Sequence, residues 1–183
     1  MPTRKAATGL AGCVCVMVAA TLLLPGQMPS YGVGRTPTME EIDAWGVVVD
    51  PDGRELPPGE GTPTAGREVF ALRCAECHGT EGQGGDKGDP LVGGEGTLTS
   101  SKPLKTVGSY WPYATTIWDY VQRAMPFDRP GTLTHDQVYE VVAYLLYLNG
   151  IIGEEDVINA STLPAIKMPN RDGFTPDPRP DLD

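Results

Sequence analysis

Two thiols and an imidazole stand within five residues at Cys74-Ala75-Glu76-Cys77-His78. Cys74 and Cys77 are three positions apart, so on a helix they project from one face, about a turn from each other. Thiols at that spacing add to the two vinyl groups of a haem, and the adjacent His78 supplies an imidazole to the iron. C-x-x-C-H is the pattern of covalent c-type haem attachment. A structural zinc site takes four ligands. Outside the motif the chain has only Cys13, Cys15 and His135, and both cysteines lie in an apolar run near the start. A thioredoxin-type C-x-x-C gives no reason for the neighbouring histidine. The motif occurs once, which implies one haem c, covalently bound.

An electron-transfer haem needs a second axial ligand besides His78. Met125, Met168 and His135 are the candidates after the motif. A thioether favours ferrous iron and raises the reduction potential. Met125 precedes Pro126 and stands nine residues before the cap of the last helix, Met168 precedes Pro169 near the end, and His135 falls in a first helical turn. Against each stands a plainer role: methionines mostly fill cores, and a histidine at a helix start is mostly solvated. The other ring nitrogen of His78 needs an acceptor. The carbonyl of Pro90, in Gly88-Asp89-Pro90-Leu91, is expected to provide it. Tyr110, Trp111 and Arg123 are candidates for hydrogen bonds to haem propionates.

Three helices must position these groups. Thr62-Pro63 reads as a cap followed by a first helical residue. The helix it opens runs into the motif and ends at Gly79. Gly66 and Phe70 lie eight and four residues before Cys74, on its face, and a glycine there lets another helix come close. A second helix is expected from Pro112 to Ala124, rich in Tyr113, Trp118 and Tyr120. The third opens with a capping box, Thr134 and Gln137, and a staple of Leu133 on Val138. Val138, Val141, Leu145 and Leu148 follow at helical spacing, and Gly150 closes it. Between the first two helices, residues 79–98 hold eight glycines. This loop lacks the phosphate-cradling G-x-x-x-x-G-K-[ST] pattern, and Asp86 and Asp89 lack calcium-loop spacing.

The ends read differently. Arg4 and Lys5 precede nineteen uncharged residues, 6–24. That run exceeds a usual signal-peptide core and approaches the ~20 residues that span a bilayer. Residues 1–30 therefore read as a signal peptide or an uncleaved membrane anchor, and the rest as exported to the periplasmic side. Cys13 and Cys15 read as small apolar residues of that run. Residues 31–61 form a Pro- and Gly-rich arm with a short helix over Met39–Trp45, Trp45 filling a core. Residues 62–150 are the haem domain, and 151–183 a Pro-rich tail wrapping its surface. The chain of 183 residues has a formal net charge of −10. Such a surface argues against nucleic acid and suits steered encounter with a basic partner.

Residues 62–150 resemble class I cytochromes c. The resemblance rests on Gly66 and Phe70 leading to Cys74-x-x-Cys77-His78, on Pro90-Leu91, and on Ala124-Met125-Pro126 before a helix bearing Val141 and Tyr144. It implies an all-α class I fold, about three main helices around one covalent haem. Gly66 and Phe70 would pack on Val141 and Tyr144, and Met125 would be the axial ligand opposite His78. A narrower resemblance covers residues 31 to about 175. Tyr31-Gly32-Val33-Gly34-Arg35, Ser109-Tyr110-Trp111-Pro112-Tyr113 and Lys167-Met168-Pro169-Asn170-Arg171-Asp172-Gly173-Phe174 are similar to the cytochrome subunits of bacterial sulfite dehydrogenases and of the Sox-pathway sulfur dehydrogenase. That similarity implies a carrier of one electron at a time, not catalytic alone. It would accept electrons from a molybdenum-containing sulfite- or sulfur-oxidising subunit and pass them to a downstream cytochrome or oxidase. The single haem motif departs from the two-haem Sox subunits and is closer to the single-haem sulfite dehydrogenase type or to a stand-alone relative. Two other readings differ in class or assembly: a catalytic or ligand-sensing protein with an open iron position, and a haem subunit of a larger membrane complex.

Overall fold

The structure is a computed structural model and describes residues 34–44, 48–176 and 178. The N-terminal apolar run, Tyr31 to Val33 and Trp45 lie outside the described residues. The chain divides into two compact units, residues 1–42 and 43–183. At the end of the first begins α1, Met39–Ala44. Its start is a capping box: the Glu41 amide donates to the Thr38 hydroxyl (3.2 Å), and the Thr38 amide to the Glu41 carboxylate (2.8 Å). Arg35 pairs with the same carboxylate and, with the Thr38 amide, holds it down to about 2.

The second unit is built on α2 (Pro63–Arg73), α3 (Ala75–His78), α4 (Ala114–Ala124) and α5 (His135–Leu148). Each begins or ends where local chemistry dictates. The Thr62 hydroxyl accepts from the Ala65 amide, with Pro63 at the first position of α2. At α5 the Thr134 hydroxyl accepts from the Gln137 amide, and the Gln137 side chain from the Thr134 amide. The expected single helix through the motif is broken at Cys74, whose backbone (φ −124°, ψ −35°) leaves helical geometry. Even so, the amides of both Cys77 and His78 donate to the Cys74 carbonyl (3.1 and 3.0 Å), so the two thiols stay one turn apart.

The α2–α5 crossing is the most extensive contact between elements. Gly66 makes it possible: a Cβ there would lie 1.8 Å from the Glu140 carbonyl oxygen. One turn on, Phe70 meets Tyr144 edge-to-face at 5.4 Å. Trp118 of α4, wholly buried, packs on Tyr139 of α5 at 5.4 Å between ring centres. The core so formed is aliphatic and aromatic: Val138, Val141, Val142, Leu145 and Leu146 from α5, Ile117 and Val121 from α4.

The arm and the tail join this core. Residues Glu60–Gly61 (β1) pair antiparallel with Ile158–Asn159 (β2). The Tyr139 hydroxyl donates to the Pro57 carbonyl, the Thr115 hydroxyl to the Pro51 carbonyl, and the Val49 amide to the Asp119 carboxylate, each at 2.9 Å. The tail does not only wrap the surface. Ile158, Leu163 at the start of a 3-10 turn (Leu163–Ala165), and Met168 are all buried. Their burial is what such sparse apolar residues in a polar segment are for: each is worth roughly 1.5–3 kcal/mol.

Candidate haem site

Neither Cys74 nor Cys77 is in a disulfide, and both are partly buried. Burial, aided by the neighbouring Cys77, pushes the Cys74 thiol up to about 12. Such a setting suits a neutral sulfur. Among the described residues no group of three or more His, Cys, Asp or Glu side chains is placed to hold a metal ion.

His78 is oriented by the glycine-rich loop. Its Nδ1 lies 2.8 Å from the Asp89 carbonyl oxygen. A carbonyl only accepts, so Nδ1 carries the proton and Nε2 keeps its lone pair for a metal. The acceptor is thus one residue before the expected Pro90. The Asp89–Pro90 peptide has no N–H, so this carbonyl is its one hydrogen-bonding group. The loop is shaped to bring it there. The Gly84 amide donates to the His78 carbonyl (2.7 Å), the Gly85 amide to the Gly88 carbonyl (3.0 Å), and the Leu91 amide to the Gly82 carbonyl (2.7 Å). Gly88 lies so close that a Cβ would be 3.0 Å from both His78 Nδ1 and the Cys77 carbonyl oxygen. Lys87 pairs with Glu76 and ties the loop to the motif.

The loop is also fastened to the far end of α5, through a residue that the sequence reading passed over. Asn149 is buried. Its Nδ2 donates to the carbonyls of Leu145 (2.8 Å) and Leu91 (3.2 Å), and its Oδ1 accepts from the Gly93 amide (3.3 Å). An asparagine just before the helix-closing Gly150 was the available signal.

The three candidates for the second axial position differ in setting. Met125 ends α4 with extended backbone and is partly exposed, packing one side against the core. Met168 is 1% exposed. His135 is exposed at the start of α5, its ring 6.0 Å from that of Trp118. Arg123, a candidate at a propionate, pairs with Asp119 one turn earlier at 2.7 Å. Trp111 is partly buried and packs on Tyr120 at 5.7 Å, and the Tyr110 carbonyl accepts from Asn170 Nδ2 at 2.7 Å.

Comparison with known proteins agrees with this arrangement. Residues 63–149 match the cytochrome c family. A chain of the crystal structure of the sulfane dehydrogenase SoxCD from Paracoccus pantotrophus is 45% identical, with a TM-score of 0.73. The match covers 82% of this chain and 74% of that one. The cbb3-type cytochrome c oxidase subunit CcoP of Azospirillum sp. (strain B510) is 36% identical over 94 residues. The match covers 46% of this chain but only 30% of CcoP, so the chain spans less than a third of that relative. Fold, motif and relatives agree, and the residues fit the group: Cys74 and Cys77 are the cysteines of a covalently bound haem c, and this chain belongs to the cytochrome c family.

Proposed function

We propose that this cytochrome c holds its iron between His78 and Met125 and carries one electron at a time from a sulfur-oxidising dehydrogenase to a respiratory acceptor. The bound haem supplies a ferric–ferrous couple. The chain's own residues do the rest. Cys74 and Cys77 would anchor the ring, and His78 would present Nε2 to the iron. The observation that carries the axial assignment is the hydrogen bond of His78 Nδ1 to the Asp89 carbonyl, which fixes the tautomer an iron ligand needs. Met125 is preferred as the second ligand because it is partly exposed at the edge of the core, whereas Met168 is enclosed by protein. With both positions filled by protein side chains, the iron would serve outer-sphere transfer rather than chemistry at an open position. The donor is inferred from likeness to a chain of sulfane dehydrogenase SoxCD. A dehydrogenase of that kind, with molybdenum in its catalytic subunit, would act in the periplasm, with a cytochrome or oxidase downstream.

Substituting the two methionines separately by alanine tests the assignment. Met125→Ala is expected to abolish the ferric absorption band of methionine-bound iron, lower the midpoint potential and allow rapid CO binding to the reduced form. Met168→Ala is expected to keep that band while losing about 2–5 kcal/mol of stability, the usual range for emptying a buried methionine site. A band that survives in Met125→Ala and vanishes in Met168→Ala would transfer the role to the tail. Rapid CO binding to the unaltered protein would favour an open-iron function instead.

A further inference from the structure

The loop that orients His78 has a slack side and a stiff side. Before Asp89 stand Gly84, Gly85 and Gly88, the residues with most backbone freedom. After it stands Pro90, whose ring locks φ, and then Leu91. Only that proline separates Leu91 from the Asp89 carbonyl, which accepts from His78 Nδ1 at 2.8 Å. Whatever fixes Leu91 therefore aims that carbonyl at the imidazole. Both backbone groups of Leu91 are engaged. Its amide donates to the Gly82 carbonyl (2.7 Å), and its carbonyl accepts from the Val107 amide (3.1 Å) and from Asn149 Nδ2 (3.2 Å).

Of these three partners only Asn149 ties Leu91 to a helix. It is the residue that ends α5, and it is 8% exposed. Nδ2 has two hydrogens, and both are used, on the carbonyls of Leu145 (2.8 Å) and Leu91, while Oδ1 accepts from the Gly93 amide (3.3 Å). The carboxamide can sit only one way round: turned over, Oδ1 would face two carbonyl oxygens and Nδ2 an N–H. Gly108 keeps room for it, since a Cβ there would lie 2.5 Å from Oδ1. The helix end does not need this side chain, because the Leu145 carbonyl already accepts from the Asn149 backbone amide at 3.2 Å. The contacts to Leu91 and Gly93 are what the carboxamide adds. α5 is also the helix that α2 crosses at Gly66, and α2 leads to Cys74 and His78. The imidazole and its acceptor are thus both referred to α5, one through the crossing and the other through Asn149.

We propose that Asn149 is a positioning residue for electron transfer: it latches the glycine-rich loop to α5 and so holds the His78–Asp89 hydrogen bond that sets the basicity of the iron-facing nitrogen. The proposal rests on His78 as an iron ligand, not on the choice between Met125 and Met168. A hydrogen bond from the far N–H raises the basicity of a metal-bound imidazole. A more basic ligand favours ferric iron and lowers the potential. Opening the latch therefore raises the potential.

The test uses the holoprotein and three variants. Asn149→Asp keeps the shape but puts an acceptor where the donor was. Asn149→Leu removes every polar group. Leu163→Ala empties a buried site in the tail and serves as the control for lost stability. The midpoint potential, the melting temperature and the solvent exchange of the His78 Nδ1 proton in the reduced protein, by NMR, are measured on each. Both Asn149 variants are expected to exchange that proton at least about tenfold faster and to have a higher potential, by up to about 59 mV, one tenfold change in a one-electron equilibrium. Leu163→Ala is expected to melt lower with potential and exchange unchanged. Values for the two Asn149 variants that coincide with those of the unaltered protein would overturn the proposal. Equal shifts in Leu163→Ala would do the same, since loosening anywhere would then suffice. If neither Asn149 variant folds around haem, the unaltered protein decides. Its His78 Nδ1 proton is expected to exchange no faster than the Asn149 side-chain amide protons, and a faster rate overturns the latch. An error in the His78 assignment would show separately, as His78 ring protons at ordinary aromatic shifts in the unaltered reduced protein.

Discussion

Single side chains in this protein serve mainly to fix other groups. His78 is orientated by a carbonyl, and Tyr139 shows the same economy in the core. It is wholly buried, yet its hydroxyl reaches the Pro57 carbonyl in the N-terminal arm at 2.9 Å. Burial pushes the phenol up to about 12 from an ordinary 10. The neutral form therefore belongs to the folded state. Its contribution is complete below about pH 10 and is lost as the pH rises from there through about 12. Tyr139→Phe is expected to lose about 1 kcal/mol at neutral pH, one net hydrogen bond. Its unfolding free energy should then fall less steeply than that of the unaltered protein from pH 10 to 12. A gap that stays constant to pH 12, measured by denaturant titration, would show that this hydroxyl does not titrate with folding.

At the scale of elements, the α2–α5 crossing sets the position of the haem motif, because α2 delivers Cys74. Gly66→Ala tests it. Alanine is the better helix former by about 1 kcal/mol. Its Cβ, however, would lie 1.8 Å from the Glu140 carbonyl oxygen and 2.8 Å from Tyr144 Cβ. The first of these is helix backbone and cannot swing aside, so α5 must move away from α2. Overpacking of this kind costs about 1–3 kcal/mol and sometimes more, so the clash wins. A net loss of about 2 kcal/mol or more in chemical denaturation is expected, with weakened Phe70–Tyr144 contact visible in near-ultraviolet circular dichroism. An unchanged or raised stability would mean that the crossing has slack.

For the molecule as a whole, charge is the property that reaches a partner. With a net charge of −10, encounter with a basic redox partner would be steered over about a Debye length, ~10 Å at 0.1 M salt. The bimolecular electron-transfer rate is therefore expected to fall severalfold between about 0.01 and 0.5 M salt, measured by stopped flow with a cationic acceptor. A rate independent of salt would leave the acidic surface with a solubility role only. The same scale holds the tail. Pairing of β1 with β2 and burial of Ile158, Leu163 and Met168 make a polar-looking segment part of the folded unit.

Much of this was legible in the residues, and the division follows the range of the interactions. Haem attachment depends on spacing within five residues, so Cys74-Ala75-Glu76-Cys77-His78 declares the cofactor by itself. Helix ends are equally local: Thr62-Pro63 and the Thr134–Gln137 box lie where α2 and α5 begin. Gly66 and Phe70 announce a close crossing, and Gly66 meets Glu140 there while Phe70 meets Tyr144. What only the tertiary structure decides are the choices between neighbours with equal chemistry. Asp89 rather than Pro90 meets His78, because loop hydrogen bonds set which carbonyl faces the ring. Asp119 takes Arg123, Asn149 bridges the loop to α5, and Arg171 comes to rest on Tyr113. Spacing along the chain determines which bonds can form to the haem; contacts between residues some 60 to 80 positions apart, such as Asn170 with Tyr110 and Tyr139 with Pro57, determine how the arm and the tail are held on the fold that carries it.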